Sequence, residues 1–271
     1  MNVLPKEKQV QIINALVEGC SVRATARLVG VEHKTVLRVL LRVGKNCERL
    51  LDEKMRGIRS RLIQVDEMHS FVFVRQKNLN PTRHDERVMG EQYLFIAIDS
   101  ESKLVPSYLV GKRSAENAYQ LMKDLESRLA TRPQITTDGF RPYVNAVDDT
   151  FGTNVDYAML VKTYQGDETN RERYSPSEIV DARPVPVMGN PKPEYISTSH
   201  VERQNLTVRM QLRRFTRLTN AFSKKFENLK AALALYFAWY NFCRIHSTLR
   251  ISPAMAAGVA NEIWSLDKLL A

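Results

Sequence analysis

Cysteine is scarce in this 271-residue chain: Cys20, Cys47 and Cys243 are odd in number and far apart. Such a set suits neither a disulfide framework nor a zinc site with paired spacing, so all three are read as free thiols. No apolar run approaches the length of a bilayer span. The first residues are broken by Lys6, Glu7 and Lys8 and lack the apolar core and cleavage site of a secretory signal, which points to the cytoplasm. Apolar residues at 44% and charged residues at 26% exclude wholesale disorder.

Acidic residues are sparse at both ends of the charge map. Residues 1–62 carry 13 Lys/Arg against 6 Asp/Glu, and residues 203–250 carry 10 against 1, within a net charge of +10. The intervening segment, 63–202, is net acidic. Basic lobes around an acidic centre suit a protein that grips a polyanion peripherally and does metal chemistry in the middle.

Residues 1–45 form the first predicted domain, an all-α helix-turn-helix. A helix over Lys6–Val17 places Val10, Ile13, Leu16 and Val17 on one face. Ser21 caps a second over Val22–Leu28, ended by Gly30, and a third runs from Glu32 to Val43, ended by Gly44. His33, Lys34 and Thr35 begin that third helix, where a recognition helix meets base edges, and Lys34, Arg38 and Arg42 form a basic stripe. Residues 46–61 read as a helical linker.

The hydrophobic period then changes. Strands are predicted at Arg61–Val74, Tyr93–Asp99 and Leu104–Val110, a helix from Ala115 to Ala130, a short strand at Gln134–Thr137, a helix at Pro142–Asp149 and a strand at Val155–Lys162. That order is the ribonuclease H-like α/β arrangement, a mixed sheet with flanking helices over residues 62–250. Residues 164–198, with five of the eleven prolines, read as an insertion without regular secondary structure that contacts DNA or a partner subunit. Helices over His200–Leu218 and Ser223–Cys243 follow, then a tail at 251–271. Trp239, Tyr240 and Phe242 lie at helical spacing and are read as core.

Three carboxylates stand at strand ends or helix starts: Asp66 in Gln64-Val-Asp-Glu67, Asp138 in Thr136-Thr-Asp-Gly139, and Glu202 in His200-Val-Glu-Arg-Gln-Asn205. Converging, they would make an oxygen-only pocket suited to magnesium or manganese. Glu67 competes with Asp66, although adjacent strand residues point to opposite faces. Asp99 is another rival first ligand, and Asp148-Asp149 is an alternative pair that reads better as solvated. Glu202 heads a polar helical stripe with Asn205, Arg209 and Arg213. His69, His200 and His246 are assigned to packing or DNA contact.

Those three blocks, with the tail Tyr240-Asn-Phe-Cys-Arg244-Ile-His246 through Ser252-Pro253, resemble the DDE transposases of bacterial insertion sequences, most closely the insertion sequence one family. The resemblance spans about residues 61–258. It implies Asp66, Asp138 and Glu202 as catalytic residues and as ligands of two Mg²⁺ or Mn²⁺ ions. It also implies DNA as partner, both terminal inverted repeats and target. Arg203, Asn205, Arg209, Arg213 and Arg214 would hold DNA near the chemistry, while His33, Lys34, Thr35, Arg38 and Arg42 bind element ends. A homodimer or larger assembly in the bacterial cytoplasm, at the nucleoid, is expected. Members of that family often begin with a cysteine-rich zinc module, and this sequence shows none, so either end recognition rests on residues 5–45 or the sequence is part of a longer chain. The rival expectations are a nuclease of the same fold that cleaves without joining, and a non-catalytic DNA-binding protein of transposase descent.

Overall fold

Three helices open the fold in the computed structural model, which describes residues 4–164, 179–217 and 219–270. They are α1 (Lys6–Val17), α2 (Val22–Val29) and α3 (His33–Lys54). Ser21 Oγ accepts the Ala24 amide to cap α2, and Gly30 ends it with φ +66, a left-handed conformation that costs glycine little. Helix α3 runs straight through Gly44, where the sequence predicts a stop. The reason is a close crossing. A Cβ at Gly44 would lie 2.6 Å from the backbone of Ala231, so glycine here admits α7 (Phe226–Ala238) rather than breaking α3. The helix therefore passes the expected boundary at 45/46 without interruption.

The sheet is built from β1 (Leu62–Val72), β2 (Gly90–Asp99), β3 (Ser107–Gly111), β4 (Gln134–Thr137), β5 (Asp156–Tyr164) and β6 (Ile179–Met188). Its order is β3-β2-β1-β4-β5-β6. β1 pairs antiparallel with β2, and β2 with β3, whereas β4 lies parallel to both β1 and β5. This is the ribonuclease H-like arrangement, with α4 (Ala115–Arg128) and α5 (Pro142–Phe151) as crossovers.

Strand β6 corrects the expectation that 164–198 lacks regular structure. It pairs only with β5, and Pro184 and Pro186 lie within it. An edge strand tolerates prolines because one row of its amides needs no partner. Past β6, Pro193–Tyr195 form a short 3₁₀ turn that leads to the helix starting at Ser199, while residues 165–178 lie outside the described residues.

Alternation along β1 divides the interior. Met68 and Val72 join a cluster with α1, α3, α7 and α6 (Ser199–Gln211), while Ile63 and Val65 join α4 and α5 on the other face. Trp239, Tyr240 and Phe242 are buried in the first cluster, in a π-helical turn that continues α7. The tail returns to the N-terminal helices: Leu269 is buried, and Lys6 meets Asp267 at 3.3 Å. Helices α1, α2, α3, α6 and α7 and the tail thus share one core.

Candidate active site

β4 ends at Thr137, which pairs with Val65 of β1 and Met159 of β5. The next residue, Asp138, turns out of the sheet, and its Oδ1 accepts the Phe140 amide at 3.0 Å. Asp66 and Glu67 continue β1 beyond the last residue paired with β4. The carboxylates of Asp66, Glu67 and Asp138 each bring an oxygen within 4.8 Å of the others.

Glu67 enters this group even though it faces away from Asp66, towards α5, where it accepts from Tyr143 Oη at 3.1 Å. Opposite faces do not separate the two, because Asp138 stands past the end of its strand and both faces open there. Arg113 holds Glu67 as well. Its Nε donates to Glu67 Oε1 at 2.6 Å, its guanidinium lies 4.0 Å from the Phe140 ring centre, and Nη2 is 3.9 Å from Asp138.

The other face receives α6. Gln64 Oε1 accepts the backbone amides of His200 and Val201 at 2.8 and 3.2 Å, so a buried β1 side chain satisfies the first turn of that helix. One turn on, Asn205 Nδ2 donates to Asp66 Oδ2 at 2.8 Å. Glu202 lies between these two anchors. Its carboxylate is outside the tight group: it accepts from Thr198 Oγ1 at 2.6 Å and pairs with Lys162 of β5. Lys162 is mostly buried and stands three residues beyond Met159, level with the chain that leaves β4.

The electrostatics are those of crowded anions. Burial, then the neighbouring Asp138 and Glu67 carboxylates, pushes Asp66 up to about 7. Glu67 is raised by burial and Asp138 against the pull of Arg113. Asp138 is raised by burial, opposed by the Phe140 amide, Arg113 and Lys162. Arg209, half-buried on α6 with Nε 3.0 Å from the Met68 sulfur, is lowered by burial and by Arg217. A cation would relieve this repulsion. The donors are all oxygens, and the buried Asn205 Oδ1 has no hydrogen-bond partner among the described residues. The residues therefore fit a hard divalent ion.

Asp99, the rival first ligand, is engaged elsewhere. It pairs with Ile63, three positions along β1 from Asp66, and caps its own turn by accepting from Ser102 Oγ at 2.6 Å and the Glu101 amide at 3.0 Å. Asp148 and Asp149 are exposed on α5. His69 packs edge-on against Tyr93, and His200 lies 3.3 Å from Lys103 Nζ.

The polar stripe on α6 is shorter than expected. The helix stops at Gln211 because Leu212 turns extended, and Leu212 and Phe215 then bury together. Arg203 is exposed on α6, whereas Arg213, exposed, and Arg214, partly buried, lie in the turn that follows the helix. On α3, His33, Lys34 and Arg38 are exposed, Thr35 is partly buried, and Arg42 bonds to Gln9 of α1. Sequence reasoning missed Gln64, Arg113 and Lys162. Gln64 could have been found as a polar residue two before Asp66 on the same strand face, while the partners of Arg113 and Lys162 leave no local signal.

Residues 86–173 match the model of a DDE domain, a transposase family of insertion sequences of the IS240 type. The matched segment contains Asp138 and Lys162 but neither Asp66 nor Glu202. It names the IS240 type rather than the insertion sequence one family. No curated protein matches the chain. Among solved structures, the Mos1 strand transfer complex is 18% identical over 58% of this chain and 59% of that one, with a TM-score of 0.26. A pre-cleavage Mos1 transpososome is 14% identical over 58% and 60%, TM-score 0.22. The piggyBac transposase synaptic complex with hairpin DNA is 9% identical over 100% and 70%, TM-score 0.40. The chain thus spans about three fifths of the length of the Mos1 chains. Among the described residues, no helix is long and apolar enough to cross a membrane.

Proposed function

We propose that this chain, which carries a DDE transposase domain, cuts and joins DNA with Asp66, Asp138 and Glu202 as its catalytic carboxylates. The observation that carries the proposal is the gathering of Asp66 and Asp138 at one sheet end, with α6 pinned there by Gln64 and Asn205 so that Glu202 overlooks the same opening. The three would hold two Mg²⁺ or Mn²⁺ ions. When bound, the ions would activate a water and then a DNA 3′-hydroxyl for in-line attack on a phosphodiester, and would stabilise the leaving oxygen.

The chain's own groups set the stage for that chemistry. Gln64 and Asn205 orient Glu202 and Asp66. Arg113 and Tyr143 engage the Glu67 carboxylate, leaving Asp66, Asp138 and Glu202 to hold the ions. Lys162 neutralises Glu202 until the carboxylate is needed, and its ammonium then faces the scissile phosphate. Arg203 and Arg209 on α6 hold neighbouring phosphates. The exposed His33, Lys34 and Arg38 on α3, with Thr35 beside them, bind element ends, and bringing two ends together calls for a dimer or larger assembly.

The test incubates labelled donor DNA bearing the element ends with target DNA and Mg²⁺. The native chain yields joined products, and Asp138→Asn loses both cleavage and joining by about a hundredfold or more. Cleavage without joining would make the protein a nuclease of this fold. Unchanged activity in Asp138→Asn would remove the catalytic assignment.

A further inference from the structure

A cleft of about 610 Å³ separates the N-terminal helices from the connection between α6 and α7. Its floor is apolar, with Leu40, Leu212 and Leu235, and its walls carry Arg23, His33, Arg213, Arg214 and Lys224. None of the described lining residues is Asp or Glu. Ser21, Val22 and Arg23 bring the first turn of α2 to the same wall, adding the partial positive charge of a helix start.

Arg214 is the distinctive member. Its Nη1 donates to Ser223 Oγ at 2.8 Å, and its Nη2 is buried with no partner among the described residues. Ser223 is itself fixed, because its carbonyl accepts the Phe73 amide at 2.8 Å at the end of β1. Arg128, a buried guanidinium elsewhere in the fold, is treated differently: it is bonded to Asp124 at 2.7 Å and lies 3.2 Å from Asp52. A buried guanidinium without a carboxylate is costly unless an anion arrives to pair with it. Burial lowers Arg214 only to about 10, so it still carries its charge at neutral pH.

We propose that this cleft is a phosphate site for the DNA backbone, seated on Arg214, through which one strand bridges the N-terminal helices and the α6–α7 connection. The site rests on the DNA-transposase reading above and lies away from the carboxylates, at the far end of α6. Backbone phosphate matches the donor set, since the planar guanidinium and helix-start amides recognise phosphate oxygens without reading a base.

Cys20 lines the cleft and serves as a built-in probe. The full-length chain is alkylated with N-ethylmaleimide with and without a saturating short duplex DNA, and Cys20 modification is followed by peptide mass spectrometry. DNA slows Cys20 alkylation in the native chain. In Arg214→Met that protection is lost, and log Kd against log salt becomes shallower by about one, the share of a single phosphate contact. Arg214→Lys, which keeps the charge, retains the native salt slope. The melting temperature of Arg214→Met does not fall, because an unpaired buried charge has been removed. An unchanged slope or unchanged protection in Arg214→Met overturns the site, as does a lowered melting temperature with a native slope. DNA that is bound and joined while Cys20 stays open overturns only the cleft, whereas failure to bind DNA at all overturns the transposase reading with it.

Discussion

Asn205 Nδ2 donates to Asp66 Oδ2 at 2.8 Å, joining the helix that carries Glu202 to the strand that carries the first carboxylate. The bond favours the ionised form of Asp66 in a place where burial and three other carboxylates, Asp138, Glu67 and Glu202, oppose it. Asn205→Ala removes that support and one of the bonds that dock α6 on β1. The expected result is a loss of about 1.5–3 kcal/mol in chemical denaturation, the usual worth of a bond to a charged group. DNA cleavage should also shift its rise to higher pH.

Gln64→Ala tests the other anchor. Two amides at the start of α6 lose their acceptor, which costs about 1–2 kcal/mol, as loss of a helix cap does. Cleavage should fall more than DNA affinity, because Gln64 orients Glu202 and touches no phosphate. Equal loss of both would mean that the whole α6 surface had moved.

Lys162 and Glu202 are paired across β5 and α6, so a cation bound by Glu202 must displace the ammonium. Lys162→Met is expected to tighten Mn²⁺ binding in the absence of DNA by roughly fivefold, about 1 kcal/mol for a partly exposed pair. Isothermal titration or the EPR signal of free Mn²⁺ reads this directly. Unchanged affinity would place Glu202 outside the metal site.

Asp66 sets a pH dependence. Its folded value, about 7, lies above the ordinary 3.8, so the folded protein binds a proton that the unfolded chain releases. The stability this group contributes is complete below pH 4 and is lost as pH rises to about 7. Metal-free protein should therefore show a falling melting temperature from pH 5 to pH 8, and Asp66→Asn should flatten the fall. Divalent ions should restore stability mainly at the upper end, where the carboxylate is ionised.

Gly44→Ala is expected to destabilise although alanine favours helix by about 1 kcal/mol. The added methyl would meet the Ala231 backbone at 2.6 Å, so α3 and α7 must part. A drop of about 1–3 kcal/mol measured by urea denaturation fits such overpacking. A gain in stability would show that the crossing yields without cost.

Much of the fold is legible locally. α1 at Lys6–Val17 and β4 at Gln134–Thr137 follow from period and punctuation, because each has a clear apolar pattern and a Pro, Gly or cap at its ends. Ser21 and Gly30 act where their chemistry says they should. The strand order follows from the succession of elements once the crossover helices are recognised. Gly44 and the prolines of β6 misled for one reason. A residue that breaks an element in isolation is tolerated where a neighbour needs its small size, or where an edge needs no amide.

By itself, then, the sequence determined most of the elements, their order, and the carboxylates at Asp66, Asp138 and Glu202 as candidates, since these depend on residue type and spacing over a few turns. Only the tertiary structure decided how those carboxylates are divided. Glu67 joins Asp66 and Asp138, while Lys162 and Thr198 hold Glu202 apart. Partnership between groups so distant along the chain arises from the register of parallel strands and the docking of α6 on β1, and no local pattern records it.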